Sequence, residues 1–195
     1  MKTMKLFLAL ALTSVIAQAQ TTWKVDNVHS TVRFSIAHMV ISEIDGNFNT
    51  FSGTIAHEKA DFSDAQIEFT IDVSSINTRN AKRDGHLKSP DFFDIAKYPT
   101  ITFKSTGLVK KDAKHFTLTG DFTMHGVTKS VTLELLAAGT IKDNRGNLKA
   151  GFKVTGAFKR SDYGLKYNSV MDNGGVVIGN EVNFTIKLET KEVKK

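Results

Sequence analysis

The strongest constraint on how this 195-residue chain can fold is an alternation of apolar and polar residues with a period of two. In "AQIEFTIDV", Ala65, Ile67, Phe69, Ile71 and Val73 fall on one face, and Gln66, Glu68, Thr70 and Asp72 on the other. "HFTLTGDFTM" groups Phe116, Leu118, Phe122 and Met124 in the same way. "LKAGFKVTGAF" groups Leu148, Ala150, Phe152, Val154 and Phe158, and "EVNFTIKLE" groups Val182, Phe184, Ile186 and Leu188. "TVRFSIAHM", "TITFKS" and "VTKSVTLEL" follow the rule more loosely, and "TTWKVD" and "GNFNTFSGTI" add short strands near the start. One apolar and one polar face per strand marks antiparallel sheet with one side in water. Turn signals separate the runs: Asp45-Gly46, Lys111-Asp112, His125-Gly126, Asp143-Asn144 with Arg145-Gly146, and Asn173-Gly174-Gly175. The pattern predicts an all-β chain of seven or eight strands, closed as an up-and-down barrel or folded as a sandwich. In "GNFNTFSGTI", Phe48 and Phe51 are out of step, which points to a bulge.

Parity also predicts which side chains share the interior. Phe34, Ile36, Phe69, Ile71, Phe103, Phe122, Phe152, Phe184 and Ile186 each take the inward face of their strand. An eight-stranded barrel is just wide enough either to fill with its own side chains or to hold one small ligand. Alternation does not choose between a solid aromatic core and a cavity.

The alternation breaks between residues 78 and 95. "TRNAKRDGHLKSPDFFD" reads as a short helix capped by Thr78 and running to about Lys88, with Arg79, Arg83 and His86 at i, i+4 and i+7 on one face. Gly85 weakens it by roughly 1 kcal/mol relative to Ala. Pro90 stops it, and Phe92-Phe93 offers an apolar plug. Such a segment either closes a barrel end as a simple cap or acts as a lid whose cations face an anionic ligand head.

The first residues have a separate role. Lys2 and Lys5 form a basic start, Leu6 to Ile16 an apolar run too short to span a bilayer, and Ala17-Gln18-Ala19 a small-x-small cleavage pattern. We expect an export signal over residues 1–19, with cleavage near Ala19, and one domain over residues 20–195 in a periplasmic or secreted protein. About 175 residues suffice for a core without covalent staples, and the chain has no cysteine to form any. Thiol catalysis and thiolate metal sites are thereby excluded. The formal charge of +6 falls to +4 once Lys2 and Lys5 leave with the signal. That excess is scattered along the chain, without the concentrated basic stripe that nucleic acid requires. No later stretch is long and apolar enough to be a transmembrane helix.

The segments "WKVDNVHSTVRFSIAHM", "RDGHLKSPDFFDIAKYPTITFKSTG", "FTLTGDFTMHGVTKSVTLEL" and "KRSDYGL" with "GNEVNFTIKLE" together resemble the YceI-like family over essentially the whole chain after residue 19. Gly85 in "RDGHL" stands where other members carry various residues, and Tyr163 in "RSDYGL" stands where Phe is common. The resemblance implies an exported, lipocalin-like antiparallel barrel of about eight strands that binds a long-chain amphiphile. Polyisoprenoids such as a polyprenyl diphosphate or a quinone, or a fatty-acyl lipid, are the implied ligands, with no cofactor. On that footing the aromatic interior becomes the apolar site, and Arg79, Arg83 and His86, with His38, become the polar contacts at its mouth.

Other clusters carry less. His38 shares the parity of Phe34 and Ile36 near a strand end, so it is either a core histidine or a contact to a ligand head. His29 lies on the opposite face from His38, and His57, His115 and His125 fall in loops or at strand ends, where a solvated ring is expected. No convergent metal set is expected. Arg160-Ser161-Asp162 reads as a surface turn with its own salt bridge, and no nucleophile elbow or phosphate-cradling loop is present. Three readings stay open: a lipid carrier, an enzyme acting on an isoprenoid lipid through His86 or His38, and a structural barrel with a protein partner. The oligomeric state is open too, a homodimer included.

Overall fold

The computed structural model describes residues 20–169 and 176–194. The expected export signal and the Asn173-Gly174-Gly175 turn lie outside them. The strands are β1 (Thr21–Val25), β2 (Thr31–His38), β3 (Ser42–Phe48), β4 (Phe51–His57), β5 (Gln66–Asp72), β6 (Ile76–Asn77), β7 (Thr100–Lys110), β8 (His115–Met124), β9 (Val127–Lys142), β10 (Leu148–Lys159) and β11 (Ile178–Glu192). One helix, α1 (Ala81–Lys88), sits between β6 and β7, and short 3-10 turns occupy Val73–Ser75 and Arg160–Tyr163.

Eight strands pair antiparallel in the ring β1-β4-β5-β7-β8-β9-β10-β11, which closes where Trp23, Lys24 and Val25 of β1 meet Glu192, Lys191 and Thr190 of β11. The barrel implied by the resemblance is therefore the fold. Extra residues at Thr106 and Ala138 bulge β7 and β9, a device that bends strands around a barrel. β11 is long enough to do two jobs along one edge. Its last residues close the ring, while Ile178 to Lys187 carry β2, which carries β3 and then β6. The wall thus divides at one end, and the segment after β6 covers that end.

Side-chain parity holds along the ring. On β5, Ile67, Phe69 and Ile71 are buried, on β8 Phe116, Leu118 and Met124, and on β10 Ala150, Phe152 and Val154. At the end away from α1 the interior is solid. Trp23 Nε1 donates to His57 Nε2 at 2.7 Å, and His57 Nδ1 donates to the Lys59 carbonyl at 2.8 Å, which fixes the tautomer. Phe62 packs on His57, with ring centroids 4.2 Å apart, and stands edge-on to Phe152 at 5.3 Å. His57 is therefore a buried core residue and not the solvated loop histidine expected, because its two partners replace water at both ring nitrogens.

One turn expectation and one bulge expectation fail for local reasons. Asp45-Gly46 lies inside β3, where Gly46 pairs with Phe34. The Phe34 ring occupies the space a Cβ at position 46 would take, so the glycine is there for close approach and not for a turn. The β2–β3 turn is Met39–Ile41 instead. Phe48 and Phe51, read as a bulge in one strand, belong to two strands. At Asn49-Thr50 the chain leaves its pairing with β2 for pairing with β1 and β5, and Ser75 holds this corner by accepting from Asn49 and Thr50 amides. His125-Gly126 is a turn as expected, with φ of 51° and 74° matching the left-handed pair that a two-residue hairpin requires.

Candidate binding cavity

Between the solid end of the barrel and the cap lies a cavity of about 290 Å3. Its cover is built by short-range bonds. Asn80, not Thr78, caps α1 by accepting from the Arg83 amide. Thr78 is buried and its amide and hydroxyl both donate to Asp84, at 2.9 and 2.5 Å. Arg83 donates from Nε to the Thr78 hydroxyl at 2.8 Å and from Nη2 to the Thr78 carbonyl at 2.9 Å. Two of the Arg83 donors are thus given to Thr78, which fastens the cap, and not to a ligand head. Phe92 is buried beyond the helix, and Phe93 leans edge-on against Phe48 at 6.3 Å. His86 reaches Asp91 at 2.8 Å and stands edge-on to Phe92 and Tyr167, at 5.0 and 4.8 Å.

Of the nine interior residues read from parity, Phe34, Ile36, Ile71, Phe122, Phe184 and Ile186 line the cavity. All but Ile71 are only half-buried, because they border empty space. Phe69, Phe103 and Phe152 do not line it. Phe152 belongs to the solid end against Phe62. Phe69 stacks on Phe51 at 5.7 Å, and the Phe103 ring fills the space above Gly120. Parity fixes the side of a strand and leaves the depth open. Two residues nearer the cap, Ile71 follows Phe69 and Ile101 precedes Phe103, and these reach the cavity. On β10 it is Phe158, not Phe152, packed between Phe122 and Phe184 at 5.6 and 6.2 Å.

The polar lining differs from expectation at two points. His38, Arg83 and His86 border the cavity, but Arg79 does not. Its φ of 63° turns the chain before the helix begins, so it never joins the Arg83–His86 face. Arg79 opens onto a separate, more polar recess beside the corner, with Arg33, Asp45, Asn47 and Asn77. The second difference is Arg160, which is not in a surface salt bridge. It is 6 % exposed, lines the cavity and donates to the carbonyls of Leu165, Tyr167, Ile178 and Gly179. Its neighbour Asp162 faces Lys129 at 3.7 Å instead. Burial pushes the Arg160 pKa below its ordinary value, while the four carbonyls replace the water the guanidinium gives up. The signal was present in the sequence, since Arg160 shares the inward parity of Phe158. Tyr163 shows no polar tip to solvent. It is buried edge-on against Phe122 and Phe158, which pushes its phenol pKa up.

Among the described residues the lining contains Arg33, Arg83, Arg160, His38 and His86, and no carboxylate. Among the described residues one His/carboxylate trio, Asp26, His29 and Glu189, is close enough to share an ion; it lies elsewhere, where Lys149 already pairs with Glu189.

The architecture recurs in solved structures. BcnA of Burkholderia cenocepacia superposes with a TM-score of 0.74 at 23% identity, over 85% of this chain and 98% of that one. The YCEI protein of Campylobacter jejuni gives 0.70 at 33% identity, over 82% and 91%. A polyisoprenoid binding domain from Saccharophagus degradans gives 0.63 at 19% identity, over 87% and 97%. In sequence, a UPF0312 protein of Staphylococcus aureus is 35% identical over 170 residues, which is 87% of this chain and 96% of that protein. A UPF0312 protein of Vibrio parahaemolyticus is 34% identical over 167 residues, 86% of this chain and 83% of that protein. With residues 23–190 matching the YceI-like domain, the chain belongs to that family.

Proposed function

We propose that the protein binds a long-chain amphiphile, a polyisoprenoid (polyprenyl diphosphate or quinone) or a fatty-acyl lipid, and carries it outside the cytoplasm. The observation that carries this reading is the cavity, with an apolar wall of Phe, Ile and Val and a polar lining that is cationic without a carboxylate among the described residues. Burying a chain there is favourable at about 25 cal/mol per Å2 of apolar surface. An anionic head cannot follow into the wall without partners, so it stays beside the arginines and histidines. The solved domain described as polyisoprenoid binding shares this fold and supports the ligand class. About 290 Å3 is at the small end of ligand sites, which run to ~1,000 Å3, so a long polyisoprenoid extends past the cavity mouth.

Binding without turnover fits the lining better than catalysis. Among the described residues it contains no Ser, Cys, Lys, Asp or Glu, the Thr78 hydroxyl is already committed to Asp84 and Arg83, and His86 is paired with Asp91. The test is organic extraction of protein purified from a lipid-containing host, followed by mass spectrometry. Co-purifying lipid, recovered chemically unaltered after incubation, is the expected result. A protein that purifies empty and takes up neither fatty acids nor isoprenoids would overturn the proposal. N-terminal sequencing of the exported protein should find a start near Gln20.

A further inference from the structure

The turn between β2 and β3 is unusual in composition. Its three residues, Met39, Val40 and Ile41, are 41 %, 81 % and 88 % exposed. Met39 and Val40 have φ of 53° and 65°, in the left-handed region that Gly and Asn occupy easily and a β-branched residue does not. A turn selected only for turning would carry Asn or Gly here. Local preference is thus given up at two residues to present three large aliphatic side chains to the outside, a conflict that commonly marks a functional position.

The turn stands at the cavity's edge. His38 before it and Ile44 after it line the cavity. The Met39 amide donates to the Val177 carbonyl, which brings exposed Val176 alongside. An exposed apolar rim therefore borders the cavity, reaching it through His38 on one side and through Ser42 and Glu43 before Ile44 on the other, and no charged residue lies between His38 and Glu43.

We propose that this rim is a membrane-docking element: Met39, Val40 and Ile41 insert into the surface of a lipid bilayer and align the cavity mouth with it, so that a chain passes between bilayer and cavity without crossing water. The inference rests on the carrier reading above. It commits to the hydrocarbon of the bilayer, not to its charge, because the turn itself is uncharged. A protein partner with a hydrophobic groove is the alternative outcome.

The test is flotation with phosphatidylcholine vesicles, using the chain from Gln20 onward, which contains every strand of the barrel and lacks the apolar run Leu6–Ile16. Association is expected at low salt and again at 0.5 M salt. V40D/I41D should lower partitioning by on the order of tenfold for each aliphatic side chain lost. V40N relieves the left-handed strain, so it should raise the melting temperature while weakening partitioning. V109D/I141D, exposed at the opposite end of the barrel, should change nothing. Failure to float, binding that disappears in salt, or equal flotation of V40D/I41D would each overturn the proposal. Binding of a dispersed fluorescent fatty acid, measured without vesicles, reads the cavity separately: its loss would sink the carrier reading while leaving docking to stand on flotation alone.

Discussion

Gly46 shows how one missing atom shapes the cavity. Phe34 rests on it across the β2–β3 pair, and also packs at a tilt against Phe48 at 5.6 Å. A methyl group at position 46 must displace that ring, and the free direction is the empty interior. Gly46→Ala should therefore cost about 1–3 kcal/mol, as overpacking does, and should also weaken uptake of a fluorescent fatty acid by narrowing the cavity. A variant with the melting temperature lowered and uptake unchanged would show that Phe34 moves elsewhere. In sequence Asp45-Gly46 reads as a turn because Asp-Gly usually is one. Nothing local distinguishes a glycine needed for its φ from one needed for a neighbour's ring. Arg160 is readable by contrast, since it shares the parity of Phe158. The adjacent Ser161-Asp162 makes it read as a surface turn with its own salt bridge, and the four carbonyls that make its burial tolerable come from segments up to nineteen residues away.

At the level of elements, the cap illustrates which features are local. The break in alternation, the stop at Pro90 and the helix end near Lys88 were all legible, because they depend on neighbours in sequence. The face that α1 presents was not, because it turns on Arg79 taking a left-handed backbone and on Thr78 giving its hydroxyl to Asp84 and not to a cap. That arrangement makes Arg83 a fastening for the cap as well as a cation at the cavity. Arg83→Lys keeps the charge but not the planar fork that serves the Thr78 hydroxyl and carbonyl together. It should lower the melting temperature by a few degrees while keeping any preference for a fatty acid over the alcohol of equal chain length. Arg83→Gln should lose both stability and preference. If Arg83→Gln keeps the preference, the head is held by Arg160 or the histidines, and Arg83 is purely a fastening.

On the scale of the molecule, the barrel has two ends with different duties. Alternation gives the strands and their inward faces and leaves barrel or sandwich open, but it is blind to height along the axis, and height separates structure from site. Phe152 is 5 % exposed in the solid end, against Phe62, whereas Phe184 borders the cavity and is only half-buried. The two residues read identically in sequence. Phe152→Leu should lower stability by about 1–2 kcal/mol, in the range of a core truncation, and leave lipid affinity unchanged. Phe184→Leu should cost less stability, since fewer contacts are lost beside a void, and should alter affinity. The same asymmetry predicts the response to ligand. A lipid that fills the cavity supplies the missing contacts and raises the melting temperature in proportion to its occupancy, with new protection from hydrogen exchange at the cap and at β2 and little change around Trp23 and Phe116. Uniform protection along the barrel would mean that ligand acts on the whole fold and that the two ends are not separate.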